Sequence, residues 1–234
     1  MARPSAAPGR VDGALRATTA GTVLVVTLIA FEAIAVATAL PTAVRALDGL
    51  AYYGWPFLAF LIANVLGMVL GGELSDRYGP TKPLVGGLLV FAGGLVVSGA
   101  AFGMVLFVAG RAVQGLGAGL VIVALYVVIG EAYAEDARPR VFGFVSAAWV
   151  LPALIGPVVA GWLAEHLSWR WVFLGIPPLV GLGLLLIVPG LRRLPPKPPV
   201  GRQRRTRWPY ALLAGGGLAT LLYAGQRHDL PAVG

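Results

Sequence analysis

Two ionisable side chains, Glu32 and Arg111, stand inside long runs of residues that carry no charge. Glu32 follows a charge-free stretch at 17–31, and the next charge after it is Arg45. Arg111 separates the charge-free stretches 83–110 and 112–130. An arginine at the centre of a membrane helix costs roughly 2.5–3.5 kcal/mol on insertion scales, so Arg111 needs a polar cavity or a carboxylate. At about 1.5 Å of rise per residue, Glu32 lies about 20 Å along the first apolar span, and Arg111 about 10 Å into the fourth from the opposite side. Both depths fall near the middle of a bilayer, where opposite charges can pair between helices. Burial and a neighbouring arginine act on a carboxylate's proton affinity in opposite directions. Competition between the two would let Glu32 load and release a proton. The same two residues would also serve as a fixed ion pair that locks two helices together.

Three further segments combine charge, glycine and proline. The first is Gly72-Glu73-Leu74-Ser75-Asp76-Arg77-Tyr78-Gly79-Pro80-Thr81-Lys82. Gly79 suits a tight reversal at the membrane surface, and Asp76 and Arg77 can pair or cap neighbouring helix ends. Its plain reading is a polar turn between two spans. The second runs from Arg111 through Gln114 and Gly115 to Gly119. Gly115 and Gly119 form a small-xxx-small pair that lets another helix come close. The third holds Gly143, Pro152, Gly156, Pro157 and Gly161. Its prolines predict a bent helix, and its small residues a flat packing face.

The elements that must position these residues are membrane helices. Of the 234 residues 58% are hydrophobic and 12% are charged, against roughly 45–50% and 25% in soluble domains. Seven charge-free stretches approach or exceed the roughly 17–25 residues that a spanning helix needs. They predict spans at 19–40, 52–72, 84–101, 104–127, 141–164, 170–190 and 209–226. The first is too long for a cleaved signal peptide and carries Glu32 in its middle. The fold class is therefore all-α and polytopic. Residues 1–18 read as a cytoplasmic tail, 19–190 as a six-helix unit, 191–208 as a basic, proline-rich linker, 209–226 as a seventh helix and 227–234 as a truncated end.

With the N-terminus inside, 14 Lys and Arg face the cytoplasm and 3 face outward, a positive-inside signal for a multi-pass protein of the cell membrane. Seven of those 14 lie in the linker, at Arg192, Arg193, Lys197, Arg202, Arg204, Arg205 and Arg207. The net charge of +8 is thus an orientation signal rather than a nucleic-acid footprint. Five tryptophans, Trp55, Trp162, Trp169, Trp171 and Trp208, fall near span ends and read as interface anchors. The chain has no cysteine, and its two histidines, His166 and His228, are far apart. No catalytic set, phosphate loop or metal-ligand spacing is present, so neither an enzyme, a cofactor nor a metal is expected. The candidate cavity residues Asn64, Gln114, Tyr126 and Trp149 would suit a small amphiphile, or equally be buried packing.

In this order and spacing the segments resemble the major facilitator superfamily of secondary transporters. Gly72–Lys82 is similar to its loop motif after span two, with Pro80 and Thr81 standing where Arg and Lys are usual. Arg111, Gln114, Gly115 and Gly117 match its span-four motif. Gly143 and Gly156-Pro157 through Ala160-Gly161 resemble the span-five motif of proton antiporters, with Pro152 and Ala160 in place of glycines. Phe31-Glu32 to Ala39-Leu40-Pro41 and Trp169-Arg170-Trp171-Val172-Phe173 resemble the drug:proton antiporter branch with fourteen helices. There Glu32 replaces Asp, and Ile34 and Ala37 replace polar residues.

The resemblance implies two six-helix halves, each a 3+3 repeat, that rock around a midplane site. Gly72, Asp76, Arg77, Gly79 and Lys82 would gate the cytoplasmic side. The partners implied are a small-molecule substrate, protons and the bilayer. One half plus one span is present, so a second half is expected in cis, or a second chain in its place. Alternatives are a symporter or facilitator for another solute, and an inactive or regulatory membrane subunit.

Overall fold

The computed structural model describes residues 8–192 together with Leu213, Gly216, Gly217 and Thr220. The expected linker, seventh span and chain end lie outside the described residues, apart from Leu191, Arg192 and those four. The described chain is helical and, among the described residues, contains no strand. It runs α1 (Pro8–Ala46), a 3-10 turn (Leu50–Tyr52), α2 (Trp55–Tyr78), α3 (Thr81–Gly99), α4 (Met104–Ala132), α5 (Arg138–His166), α6 (Trp171–Leu174) and α7 (Pro177–Leu191). Six segments are long and apolar enough to cross a membrane, the last being Trp171–Leu191.

α1, α4 and α5 overrun the spans that the sequence predicts for them. α1 begins at Pro8, inside the stretch that reads as a tail, and buries Thr18 fully where it meets Gly190 of α7. The sixth span is not one continuous helix. It breaks between α6 and α7 at Gly175 and Ile176, because Pro177 and Pro178 have no N–H to donate to the preceding turn. α5 carries Pro152 and Pro157 inside one uninterrupted helix.

Two turns show why the spans end where they do. At the end of α1, Asp48 takes φ 49°, a left-handed conformation that Asp enters more readily than most residues. The Gly49 N–H then bonds the Val44 carbonyl at 2.9 Å and the Asp48 N–H the Arg45 carbonyl at 3.4 Å, the pattern of a Schellman cap. At the end of α2, Gly79 has φ 80° and ψ 161°, a region essentially confined to glycine.

α4 runs between α2 and α3, while α1 runs between α5 and α7. The core joins both groups through Phe91, Phe107, Leu125, Phe173, Leu40 and Ile187. The outward faces are apolar too, with Leu89, Leu154, Val158 and Leu185 exposed. Helices that are hydrophobic all round belong in a membrane.

Candidate functional site

Glu32 and Arg111 meet in the interior. Arg111 Nη1 donates to Glu32 Oε1, and the two residues are 1% and 0% exposed respectively. Arg111 and Gln114 lie one helical turn apart on α4 and so share a face. Arg111 Nη1 also donates to Gln114 Oε1 at 3.0 Å, and Gln114 Nε2 donates to Glu32 Oε1 at 3.2 Å. The fourth member comes from α3: Ser98 Oγ donates to Gln114 Oε1 at 3.0 Å. Glu32 Oε1 therefore receives two donors. Glu32 Oε2 and Arg111 Nε are buried and have no hydrogen-bond partner among the described residues.

Small residues make this convergence possible. Gly94 of α3 lies against Gln114, and Gly110 of α4 lies against Ser98, so the two helices approach closely enough for the serine to reach the amide. On the other side of α4, Gly115 abuts the Phe60 backbone, and Gly119 abuts Asn64 and Met68. That approach brings the Phe60 ring over the Arg111 guanidinium, 4.4 Å from ring centroid to Cζ, where ring and cation attract. The Asn64 amide donates to the Gly115 carbonyl at 3.3 Å.

The other segments lie apart from this cluster. Gly79 makes the α2–α3 turn, and Asp76, Arg77 and Lys82 are exposed around it. Arg77 and Lys82 both reach over the Tyr78 ring, at 5.1 and 5.2 Å. Among the described residues, a Cβ on Gly72 would meet only Val123, at 3.9 Å.

On α5, Pro152 and Gly156 are buried, Gly161 is partly buried, and Gly143 and Pro157 are exposed. A Cβ on Gly156 would sit 3.5 Å from Ile34, and one on Gly161 would sit 3.8 Å from Thr38. These are ordinary contacts, so α1 and α5 do not touch backbone to backbone there as α2 and α4 do. Beside them an apolar cavity of about 280 Å³ is lined by Thr27, Phe31, Pro152, Ile155, Trp171 and Ile176 among others. Tyr126 and Trp149, about half exposed, border a smaller apolar recess with Val26 and Ile29.

Sequence reasoning missed Ser98 and Phe60. The one local signal for Ser98 is a hydroxyl set between Gly94 and Gly99 in an otherwise apolar span. Trp169 is a correction: it is not an interface anchor but 4% exposed. It packs edge-on against Phe107 and Phe173, with centroids 5.6 and 6.0 Å away. Arg170 explains the burial. Its Nη1 donates to the carbonyls of Gly99 at 2.8 Å and Ala101 at 2.6 Å, drawing the start of α6 onto the α3–α4 corner. Trp55, Trp162 and Trp171 are exposed. Trp208 lies outside the described residues.

Comparison with known proteins places this arrangement. Residues 22–226 match the family model of the Major Facilitator Superfamily. The chain is 34% identical over 200 residues to the acurin A biosynthesis cluster MFS-type transporter of Aspergillus aculeatus, covering 82% of this chain and 36% of that protein. It is 28% identical over 172 residues to the multidrug transporter protein MdtP of Bacillus subtilis, covering 74% and 32%. The chain thus spans about a third of the length of these relatives. Its fold resembles the xylose transporter XylE from E. coli in a partially occluded inward-open conformation, with TM-score 0.63 and 18% identity over 89% of this chain and 59% of that one. It also resembles the POT family transporter PepTSo, with TM-score 0.68 and 16% identity over 88% and 46%. Family model, relatives and fold agree, and this membrane-embedded, multi-pass chain belongs to the Major Facilitator Superfamily, whose members are transporters and not enzymes.

Proposed function

We propose that this chain is the N-terminal part of a proton-coupled efflux transporter that exchanges small amphiphiles for protons by alternating access. The observation that carries the reading is the buried Glu32–Arg111 pair with one carboxylate oxygen left over. Oε1 is held by Arg111 and Gln114, while Oε2 has no hydrogen-bond partner among the described residues. Oε2 is the atom that takes the proton, and Arg111 stabilises the ionised form. A buried charge that loses its partner is costly, so protonating Glu32 leaves Arg111 needing a new one. That need couples proton binding to a change in helix packing.

Other features support the reading. The cavity lined by Thr27 and Phe31 of α1, Pro152 and Ile155 of α5, and Trp171 and Ile176 is almost wholly apolar, which suits amphiphilic cargo, and the Bacillus subtilis relative is named a multidrug transporter. Gly72, Asp76, Arg77, Gly79 and Lys82 form the gating loop. Gly143, Pro152, Gly156, Pro157 and Gly161 set the α5 face. The N-terminus and the 191–208 linker are cytoplasmic, and the membrane is the plasma or inner membrane. The six-helix unit forms one wall of the substrate path, and a second half, in cis beyond the seventh helix or from another chain, forms the other.

The test is Glu32→Gln in the full-length protein reconstituted in liposomes. Gradient-driven transport is expected to vanish while downhill substrate exchange survives, showing an intact fold. Wild-type coupling in E32Q would remove the proton role, and transport indifferent to pH in the wild type would assign a facilitator instead.

A further inference from the structure

We propose that Ser98 is a positioning residue for the Glu32 carboxylate, acting through Gln114. The inference rests on reading Glu32 as the proton carrier and adds a third helix to that machinery.

The argument is a donor and acceptor count. A glutamine amide offers an oxygen with two acceptor positions and a nitrogen with two protons. Arginine only donates, so the end of Gln114 facing Arg111 is the oxygen, 3.0 Å from Nη1. The second acceptor position of that oxygen is filled by Ser98 Oγ, also at 3.0 Å. With the oxygen held on both sides, the amide plane is fixed and Nε2 is directed at Glu32 Oε1, 3.2 Å away. All four side chains are buried, Ser98, Gln114 and Glu32 completely.

Without the serine hydroxyl, one lone pair of Gln114 Oε1 stays empty in a low-dielectric interior, and rotation of the amide is no longer opposed from the α3 side. A freely rotating amide withdraws Nε2 from Oε1. The carboxylate is then held by Arg111 alone and can turn, so the oxygen presented for protonation is no longer unique. α3 is otherwise apolar along its buried face: Leu84, Leu88, Phe91 and Leu95 precede Ser98. No general packing need calls for a hydroxyl at this position.

The experiment compares Ser98→Thr, Ser98→Val and Ser98→Ala in the full-length protein. Thr and Val have nearly the same shape and press equally on Gly110, so their difference isolates the hydroxyl. The first readout is the ratio of gradient-driven transport to downhill exchange in liposomes. S98T is expected to match the wild-type ratio. S98V and S98A are expected to lower it about five-fold, the scale of one neutral hydrogen bond.

The second readout is the infrared carboxyl band of Glu32, assigned by subtracting E32Q. It is expected to shift in S98V and S98A and to return in S98T. If Val and Thr behave alike in both readouts, or Ala behaves as wild type, the proposal is overturned. S98A adds no bulk and carries the test should S98V fail to fold. The infrared arm needs no transport. A hydroxyl-dependent band shift in a protein whose E32Q variant stays coupled would therefore sink the proton role of Glu32 while leaving the positioning by Ser98 standing.

Discussion

Arg111 on α4 reaches Glu32 on α1 in a part of the protein that solvent does not touch. The pair bridges the two groups of helices, since α1 packs mainly with α5 and α7, and α4 with α2 and α3. Bringing both charges out of water offsets much of their attraction, so such a pair adds little net stability, but removing one partner costs about 3–5 kcal/mol.

Arg111→Met should therefore lower the thermal unfolding midpoint of the purified protein by far more than an average core substitution. Glu32→Leu combined with Arg111→Met should recover most of that loss, because no charge is left unpaired. Unfolding midpoints of the two single variants and the double variant in one lipid or detergent system check this. A double variant less stable than both singles would contradict it.

The glycines divide into two kinds, which gives a second expectation. A methyl group on Gly115 would overlap the Phe60 carbonyl, which belongs to a helix backbone and cannot rotate away. Overpacking of this kind costs about 1–3 kcal/mol or more. Gly143 is exposed on α5, with nothing among the described residues within 4 Å of an added Cβ, and exchange of an unconstrained helical glycine for alanine gains about 0.5–1 kcal/mol. Gly115→Ala should thus lower the unfolding midpoint and weaken α2–α4 packing, seen as faster hydrogen exchange in both helices. Gly143→Ala should leave the midpoint unchanged or raise it.

How far the sequence alone carries depends on whether a signal is local. The spans and the depths of Glu32 and Arg111 were legible because a charge inside an apolar run is unusual in itself. Gly115/Gly119 and the Gly156–Gly161 stretch read alike as small-residue faces. The structure separates them, because backbone contact depends on what the neighbouring helix presents: Phe60 and Asn64 main chain in one case, the side chains of Ile34 and Thr38 in the other. The signal for Ser98 is weak, since a hydroxyl in an apolar helix ordinarily bonds its own backbone. Its reach to Gln114 depends on a helix crossing at Gly94 and Gly110. Trp169 was misread because its position at a span end is the usual mark of an interface anchor, whereas the bond from Arg170 to the α3–α4 corner is a contact across about seventy residues that no periodicity announces.

The last expectation concerns pH and lies just beyond the end of α4. The Tyr133 hydroxyl is 2.8 Å from Thr19 Oγ1 and donates toward the Leu15 carbonyl at 3.3 Å, tying the α4–α5 connection to the start of α1. Arg138 holds the same corner from the other side, donating to the carbonyls of Gly130 at 2.6 Å and Tyr133 at 3.1 Å. Burial pushes the Tyr133 phenol above its ordinary pKa of 10.0, with the Thr19 hydrogen bond opposing more weakly. The folded value is therefore the higher one, and the unfolded chain loses this proton first. The stability that goes with the protonated phenol is complete below pH 10.0 and is lost as pH rises from there through the folded value. Tyr133→Phe removes both the hydrogen bond and the titration. At neutral pH the variant should be less stable by about 0.5–1.5 kcal/mol, the net worth of one such bond. Above pH 10.0 the gap between wild type and variant should close, since only the wild type loses the Tyr133 proton. Parallel unfolding curves across that range, with a constant gap, would show that Tyr133 is not held as its protonated, hydrogen-bonded form.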